Sequence, residues 1–447
     1  MLLSNLTTEQ RGWVYVAAIT LYCILLHKIL PPFQGSQGYA CDCTTKQPLL
    51  YRYNGFYTLV VVFFTLYYLS TVDLFDPTDL TRCYWPMCRA SFMLGLSISL
   101  YLYWRGLNRL KQGFVDRGTS CLTTNGKRSA ATKLTTEFDT RSTLETFYCG
   151  VEWNPRVWDI GKKKWTKGND SGSTQSHILI SLSLSLLSLS TLSTLSSLSL
   201  LSLYSLFTLS LDIKMFNYLI GAVLLACNVF SAVATHTATR QHDLDLSNAM
   251  WAYLIPMCWF ICEYMWFENV HVYTYDIFRE RTGFKMCWGC WFFYPFFYCI
   301  GVWPIVNATT DISTEAAMGT VALFFAGWVL TRGANLQKFS WRHKKAPSFL
   351  GIANETVPGS RGRLLVSGWW GIARHINYTG EIVQGLGLAL PGYLCSGSYL
   401  SFLYPLYYVL LFVGRDQDDD KGCKEKYGAA WDRYVRTVPY RMVPGIY

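Results

Sequence analysis

Long apolar segments alternate with short polar and basic segments along most of the chain. An α-helix rises about 1.5 Å per residue, so about 20 apolar residues cross a hydrocarbon layer of about 30 Å. Several segments approach or exceed that length, and we expect a membrane-spanning helix in each. They are residues 13–30, 56–72, 90–103, 215–233, 249–266, 286–306, 316–330 and 385–413. The pattern predicts an all-α, polytopic transmembrane protein in a lipid bilayer.

Proline residues interrupt the later apolar segments at Pro295, Pro304, Pro391 and Pro405. Proline removes a backbone donor and kinks or ends a helix. Broken backbone at membrane depth is tolerated only where protein or a cavity covers it. We therefore expect a buried pocket in the C-terminal half of the chain.

Charged residues are few and unevenly placed. The 447 residues include 39 Lys and Arg against 29 Asp and Glu, and the basic ones concentrate in 105–167 and 338–363. Because basic loops favour the cytoplasmic side, we expect these regions there. They border membrane segments and lack helix-turn-helix or zinc-finger spacing, so no nucleic-acid partner is expected. The 15 cysteines lack metal-ligand spacing, and we expect no metal site.

The stretch "RLLVSGWWGIARHINYTGEIVQGLGLALPGY", residues 363–393, places Arg374, His375, Asn377 and Tyr378 beside an apolar segment. Polar and ionisable groups at a membrane boundary are costly unless they pair or bind a ligand. The stretch therefore indicates a binding site. The alternative is an interfacial belt whose arginine extends toward water.

Two further clusters add charge and aromatic rings. Lys338 and Arg342 are four residues apart, and two cations at that helical spacing repel unless an anion lies near them. Asp419, Cys423 and Tyr427 recur at helical spacing after the last apolar segment. Together the clusters indicate a phosphate-bearing ligand with a flat ring at the cytoplasmic edge. No G-x-G-x-x-G motif follows a strand, which argues against binding of this ligand by a Rossmann domain.

Three motifs resemble a known family. They are "FYCGVEWNPR" (147–156), "LLVSGWWGIARHINYTGE" (364–381) and the ending "CKEKYGAAWDRYVRTVPYRMVPGIY" (423–447). In this order they resemble the sterol reductases of the Δ14, Δ7 and Δ24(28) types, which include the membrane domain of the lamin B receptor. The resemblance extends over almost the whole chain outside residues 160–211.

The resemblance implies about ten transmembrane helices, a C-terminal cofactor pocket and NADPH bound from the cytosolic side. It also implies a multi-pass protein of the endoplasmic reticulum membrane that acts in sterol biosynthesis; the oligomeric state stays open. We include His375 among the expected cofactor-binding residues because it lies within the matching motif and belongs to the polar cluster at 374–378. The expected cofactor-binding residues are Lys338, Arg342, Leu365, Trp370, His375, Asn377, Tyr378, Asp419, Cys423, Tyr427 and Tyr434.

The implied activity is that of an oxidoreductase acting on CH–CH groups. An acid protonates an isolated sterol double bond, and hydride from NADPH then quenches the carbocation. The protein must position the nicotinamide, supply a proton donor and exclude water. The donor candidates are Tyr378, Asp419, Glu263 and Glu268, because a buried acid keeps its proton more readily at neutral pH.

This chain departs from the family at several positions. Phe260 replaces a tyrosine suspected of helping protonation in several relatives, and Phe267 stands where asparagine is usual. Gly414 and Asp418 replace a histidine and an arginine. These departures leave open the identity of the proton donor and which double bond is reduced.

The motifs "SGWWGIARHINY" and "PYRMVPGIY" resemble those of Δ14 and Δ7 reductases more than those of Δ24(28) reductases, and of the first two we favour Δ14. A non-catalytic sterol-binding or scaffolding membrane protein is a competing class, as the lamin B receptor illustrates. An integral-membrane methyltransferase is a third alternative, because that class has a similar R-H-x-x-Y pattern near its C-terminus. The upstream "GVEWNPR" argues against the methyltransferase.

A segment made almost entirely of Ser and Leu separates "NPR" from "DIKMF". Its serine and leucine roughly alternate, which is a strand period and not a helix period. Asp-Ile occurs on both sides, at 159–160 and 212–213, and joining the copies restores "NPRVWDIKMF". We predict an N-terminal region 1–159, a low-complexity insertion 160–211 from a translated intron, and a catalytic region 212–447. The alternative is a genuine linker or an extra membrane-associated helix.

Overall fold

The structure is a computed structural model that describes residues 5–32, 37–41, 48–111, 142–152, 156–157, 211–240, 245–272, 281–359 and 362–447. Within these residues the protein is mostly helical, and its strands form short antiparallel pairs. The expected all-α class is confirmed.

The helices follow the apolar segments and their polar ends. A π-helical turn, Gly289–Phe293, joins two short helices, Phe284–Trp288 and Tyr294–Phe297. Turns of 3-10 helix at Ile300–Val302 and Tyr399–Phe402 precede the helices that begin at Trp303 and Leu403. The α-helices are α1 (Thr8–Ile29), α2 (Gly55–Thr71), α3 (Thr78–Arg82), α4 (Tyr84–Lys111), α5 (Thr143–Cys149), α6 (Ile213–Thr239), α7 (Asn248–Trp266), α8 (Glu268–His271), α9 (Phe284–Trp288), α10 (Tyr294–Phe297), α11 (Trp303–Val306), α12 (Thr314–His343), α13 (Trp369–Ile372), α14 (Ile376–Ser396), α15 (Leu403–Tyr427) and α16 (Ala429–Thr437).

Polar side chains fix where several long helices begin. Thr7, Asp212, Ser247 and Ser313 each accept a hydrogen bond from a backbone N–H in the first turn of the helix that follows. The first amides of a helix lack intrahelical partners, and such a cap stabilises the helix by about 1 kcal/mol. The starts of α1, α6, α7 and α12 are therefore encoded locally.

Among the described residues, four helical stretches are long and apolar enough to cross a membrane: Thr8–Ile29, Ile213–Thr239, Phe284–Val306 and Thr314–His343. Each contains most of a predicted spanning segment. The shorter α2 is also apolar. The protein thus has the helices of a membrane protein, whereas the expected total of about ten spans stays a prediction.

The predicted segment 385–413 is wrong as a single helix. It divides into α14 and α15, because Gly397 adopts a left-handed conformation with φ of 70° and donates its backbone N–H to Tyr393 O at 2.7 Å. Glycine reaches that conformation without the steric cost of a Cβ atom, which makes it a common helix stop. Pro391 lies inside α14 without ending it.

The strands form four antiparallel pairs among the described residues. Arg156 pairs with Asp212 and Val157 with Leu211, so the two flanks of the Ser/Leu-rich segment lie side by side. The segment itself, residues 158–210, lies outside the described residues. The strands are β1 (Gln37–Cys41), β2 (Pro48–Leu50), β3 (Arg156–Val157), β4 (Leu211–Asp212), β5 (Ser348–Phe349), β6 (Ile352–Ala353), β7 (Thr356–Gly359) and β8 (Gly362–Leu365).

Helices α12 and α14 pack closely through small residues. A Cβ atom added to Gly380 would lie 2.3 Å from Thr331 Oγ1, and one added to Gly387 would lie 2.8 Å from the Cα atom of Phe324. Small residues let helix backbones approach where larger ones would hold them apart. This contact fixes two walls of the cavity described below.

The described part of the "GVEWNPR" motif has a structural role. Glu152 is buried and forms an ion pair with Arg105 at 2.7 Å, which ties the motif to α4. Gly150 has φ of 92°, and a Cβ atom there would lie 2.5 Å from the backbone nitrogen of Gly283. The motif therefore joins the end of α4 to the start of α9. Residues 153–155 lie outside the described residues.

Candidate active site

A cavity of about 1210 Å³ lies among α7, the π-helical turn, α12, α14 and α15. Its mouth is lined by the exposed residues Arg342, His343, Glu425 and Lys426. Pockets for a single small ligand usually measure about 300–1000 Å³. The cavity is therefore larger than an ordinary pocket for one small ligand.

The residues predicted to bind the cofactor come together on the wall of this cavity. They arrive from α12, the β8 strand, α13, the start of α14, α15 and α16. Those lining the cavity are Lys338, Arg342, Leu365, Trp370, His375, Asn377, Tyr378, Asp419, Cys423, Tyr427 and Tyr434.

Near the mouth, Lys338 is held against an aromatic ring. Its Nζ atom lies 4.6 Å from the centroid of the Trp370 ring, a cation–π distance. The Trp370 Nε1–H donates to Ala334 O at 2.8 Å, which fixes the ring against α12. Asp419 and Cys423, one turn apart on α15, are close enough to Lys338 to interact with it electrostatically. The mouth thus combines fixed positive charge with a flat ring.

A second aromatic group forms the outer wall. Tyr427, Trp431 and Tyr434 pack with Leu364 in a small apolar core of α15, α16 and β8. Burial raises the pKa of the Tyr434 hydroxyl well above its usual value. Tyr434 therefore stays neutral and presents a hydrogen-bonding phenol at the cavity.

Three rings stack at the start of α14. The His375 and Tyr378 rings are 4.8 Å apart and 6° from parallel, and the Tyr378 and Phe412 rings are 4.3 Å apart and 5° from parallel. Burial lowers the pKa of His375 to about 4, although Asp416 Oδ1, 3.3 Å from its Nε2 atom, acts in the opposite direction. His375 is therefore neutral at pH 7. The stack holds Tyr378 in one orientation on the cavity wall.

Asp416 anchors the C-terminal segment to this stack. Its carboxylate is almost fully buried and accepts hydrogen bonds from Arg441 Nη1 at 2.6 Å and from the Tyr447 hydroxyl at 3.1 Å. The backbone N–H of His375 donates to Arg441 O at 2.8 Å. The pKa of Arg441 is raised by its hydrogen bond to Asp416. These contacts fix the position of the rings that line the cavity.

The inner end of the cavity, defined by Glu263, Tyr294, Trp328 and Arg332, contains an ion pair that the sequence analysis missed. Arg332 Nε donates to Glu263 Oε1; Arg332 is buried and Glu263 is partly buried. Trp328 Nε1 donates to the same oxygen at 3.1 Å. The Arg332 guanidinium lies 4.5 Å from the centroid of the Phe267 ring. An arginine embedded in an apolar helix was the available signal, because such residues are costly unless they function.

The four donor candidates lie in different places. Tyr378 and Asp419 line the cavity, and Glu263 lines it as a member of the ion pair. Glu268 lies off the cavity wall, where its Oε2 atom accepts a hydrogen bond at 2.9 Å from the Gly55 backbone N–H at the start of α2. Burial raises the pKa of Glu268 to about 8. Its contact supports packing between α8 and α2.

Three curated relatives are similar to part of this chain. A "Delta(14)-sterol reductase" of Arabidopsis thaliana is 32% identical over 54% of this chain and 62% of its own length. A "Delta(14)-sterol reductase" of Methylotuvimicrobium alcaliphilum is 35% identical over 47% of this chain and 49% of its own length. A "Probable 7-dehydrocholesterol reductase" of Acanthamoeba polyphaga mimivirus is 32% identical over 45% of each chain. The chain spans about half the length of the curated relatives it matches.

The sequence model of the ergosterol biosynthesis ERG4/ERG24 family matches residues 202–447. This region includes every predicted cofactor residue and the inner ion pair, while the resemblance expected over the N-terminal 201 residues stays a prediction. The match covers more than half of the chain, and the chain therefore belongs to the ergosterol biosynthesis ERG4/ERG24 family.

Proposed function

We propose that the protein catalyses the NADPH-dependent reduction of a sterol ring double bond, of the Δ14 type, in the endoplasmic reticulum membrane. The observation that carries the proposal is that one cavity has cations at its mouth and aromatic rings and an ion pair further in. A water-soluble anionic cofactor fits the mouth, and an apolar polycyclic substrate fits the inner end. Family membership supports the same reaction.

The mouth has the groups that a dinucleotide needs. Lys338 and Arg342 supply positive charge for phosphates, and Trp370 supplies a flat apolar face. The Asn377 Oδ1 atom is buried and has no hydrogen-bond partner among the described residues. A buried unpartnered acceptor is costly, and a ligand amide would satisfy it. When bound, NADPH supplies hydride to the substrate carbon that carries positive charge.

Tyr378 is the group we assign to proton delivery. Glu263 is a carboxylate in a salt bridge with Arg332, and Glu268 lies off the cavity. Asp419 lies near Lys338 at the cavity mouth, among the residues predicted to bind the cofactor. A neutral phenol on the cavity wall retains its proton at pH 7. Proton transfer from Tyr378 to the double bond breaks the phenolic O–H bond, forms a C–H bond and leaves a phenolate and a carbocation on the neighbouring carbon. Hydride then quenches the carbocation, and a proton taken up from solvent restores the phenol.

Cofactor binding is the first test. The protein purified in detergent is titrated with NADPH and, separately, with S-adenosylmethionine. We expect NADPH alone to bind. Failure to bind NADPH contradicts the reductase, and binding of S-adenosylmethionine instead supports the methyltransferase alternative.

Sterol profiling identifies the double bond. The protein is expressed in cells that lack the Δ14-reduction step, and Δ14-unsaturated sterols are quantified. We expect them to fall, and Tyr378→Phe to reduce the rate by about 10²–10⁴-fold. Unchanged Δ14 sterols would refute the assignment, and parallel cultures lacking the Δ7 or Δ24(28) step test those alternatives. Bound NADPH without turnover of any of these sterols would favour a non-catalytic binding protein.

A further inference from the structure

The Glu263–Arg332 ion pair offers hydrogen-bonding capacity at the inner end of the cavity. Both hydrogen bonds that the structure gives Glu263 end on Oε1, from Arg332 and Trp328. The Arg332 Nη1 atom is buried and has no hydrogen-bond partner among the described residues. One acceptor oxygen, Oε2, and one donor nitrogen, Nη1, therefore remain without a partner among the described residues, on two side chains that line the cavity.

A third group adds to this capacity. The Tyr294 hydroxyl is buried without a hydrogen-bond partner among the described residues, and it is close enough to Glu263 to interact electrostatically. Tyr294 lies where the π-helical turn passes into α10, and π-helical turns are frequent at functional sites. Its ring is confined by α6, because a Cβ atom added to Gly221 would lie 2.6 Å from it. The hydroxyl is therefore held in place, and the cost of leaving it unpaired is about 1–3 kcal/mol.

An alcohol matches this arrangement better than other groups. A hydroxyl both donates and accepts, so it can donate to Glu263 Oε2 and accept from Arg332 Nη1 or the Tyr294 hydroxyl. A second carboxylate would be repelled by Glu263, and a purely apolar group would leave all three atoms unpaired. The surrounding wall is aromatic and includes Phe260 and Tyr298. The inner end of the cavity therefore fits an apolar molecule that carries one hydroxyl group.

We propose that Glu263 and Arg332 bind the hydroxyl of the polycyclic alcohol substrate and so set its depth and orientation in the cavity. The inference rests on the proposed function for the identity of the substrate. Arg332 precedes Lys338 by six residues on α12, which is about 9 Å along the helix axis. The substrate hydroxyl is thereby anchored further into the cavity than Lys338. Glu263 and Arg332 are positioning residues in this scheme, and the proton comes from another group.

The test compares ligands that differ in this hydroxyl alone. Binding of a Δ14-unsaturated sterol alcohol, its methyl ether and its deoxy analogue to the purified protein is measured by tryptophan fluorescence quenching. A hydrogen bond to a charged group contributes about 1.5–3 kcal/mol, so we expect the alcohol to bind about 10–100-fold more tightly than the ether. Equal affinity for alcohol and ether in the wild-type protein overturns the inference.

Substitutions in the cavity test which side chains cause the preference for the alcohol over the ether. In Glu263→Gln, and in the double variant Glu263→Gln/Arg332→Gln that leaves no lone buried charge, we expect the alcohol preference to disappear. Glu381→Gln removes another carboxyl group from the same cavity and should keep the preference. A preference that survives both Glu263 variants contradicts the inference.

NADPH binding and oxidation, measured on the same preparations, separate this inference from the proposed function. An alcohol preference without NADPH binding would refute the reductase and leave the hydroxyl site standing. NADPH-dependent reduction without an alcohol preference would refute the hydroxyl site and leave the proposed reductase function standing. A variant that still binds NADPH is folded at the cavity, so loss of the preference cannot be attributed to unfolding.

Discussion

Two of the cations that line the cavity lie one turn apart on α12. Lys338 lies against the Trp370 ring, and Arg342 follows one turn later at the exposed end. Lys344 is also exposed at this end, but it is not part of the cavity lining. Lys338 and Arg342 therefore place positive charge at the cavity, whereas Lys344 places the same charge outside the cavity lining.

Replacement of Lys338 by methionine should weaken NADPH binding about 10–100-fold, because one charge-assisted contact to phosphate is lost. The dissociation constant is measured by fluorescence titration at fixed ionic strength. Lys344→Met removes the same charge from the same helix end and should change the constant less than threefold. Equal effects of the two substitutions would show that only the general positive field matters.

Gly289 leaves a gap in the cavity wall. It lies in the π-helical turn, it lines the cavity, and a Cβ atom added there would meet nothing within 4 Å. Gly289→Leu should fill that space. The KM for a sterol should rise at least about 10-fold, since the loss of contact to one methylene group of a substrate costs about 1–3 kcal/mol of binding free energy. NADPH affinity should stay unchanged.

Gly319→Leu is the matched control, because Gly319 is an exposed helical glycine with equally open surroundings outside the cavity. Both substitutions should raise the melting temperature slightly, since leucine favours helix more than glycine does. An unchanged KM in Gly289→Leu would show that the substrate does not reach this wall.

The cavity mouth could be anticipated from the sequence because its residues occur in continuous motifs. Trp370, Asn377 and Tyr378 lie within a few residues of one another, so one local pattern revealed all three. The inner ion pair could not be anticipated in the same way. Glu263 and Arg332 are 69 residues apart, and only the packing of α7 against α12 brings them together.

Among the elements, the β3–β4 pair bears on the Ser/Leu-rich insertion. The pairing of Val157 with Leu211 brings the two flanks of the segment together, as an insertion into a continuous chain requires. Asp212 caps α6 by accepting the Met215 backbone N–H at 3.0 Å. Because Asp159 is also followed by isoleucine, it would take over this cap if the segment were removed.

Deletion of residues 160–212 should therefore yield a folded protein with unchanged NADPH affinity and a melting temperature close to that of the full chain. The control is the same deletion with Asp159→Ala, which removes the restored cap and should lower stability by about 1 kcal/mol. A deletion protein that does not accumulate in membranes would show that the segment is needed for folding. Long-read sequencing of mature transcripts tests the intron origin directly.

The break between α14 and α15 shows a limit of sequence patterns. Hydropathy is continuous through 385–413, and the prolines suggested interruptions at Pro391 and Pro405. The chain turns at Gly397 instead, and Pro391 is accommodated inside α14. Glycine positions alone do not reveal which one adopts a positive φ, because neighbouring helices decide where a turn is possible.

In the molecule as a whole, two buried groups give opposite pH dependences. His375 has a pKa of about 4 instead of 6.5, and Glu268 has a pKa of about 8 instead of 4.5. Protonation of the buried histidine destabilises the fold as the pH falls from about 6.5 to 4. Ionisation of the buried glutamic acid destabilises it as the pH rises from about 4.5 to 8.

The free energy of unfolding should consequently change little between about pH 4.5 and 6.5 and decline from there to about pH 8. Glu268→Gln should abolish the decline above pH 6.5 and leave a rise with pH below it. His375→Gln should give a continuous decline from about pH 4.5 to 8. Denaturant titrations in detergent across this range measure these slopes, and parallel curves for all three proteins would contradict both assignments.

Fold class and family could be predicted for the whole molecule because hydropathy and motif order extend over long stretches. Four helices with the length and composition of membrane spans confirm the class. The family model reaches back only to residue 202, so the relation of the N-terminal helices to the family stays a prediction from the short motif at 147–156. Their packing against α6 depends on contacts that no local pattern encodes.

Lys338 and Trp370, which we predict to bind the cofactor, lie between the exposed end of α12 and Arg332, and this position has a kinetic consequence. A dinucleotide held by Lys338 and Trp370 would close the aqueous route to Arg332 from that side. A sterol that used this route would have to enter before the cofactor and leave after it, giving compulsory-order kinetics. A sterol that arrives from the bilayer would be free of this constraint. Initial-rate and product-inhibition patterns thus report the direction from which a water-insoluble substrate reaches the reaction centre.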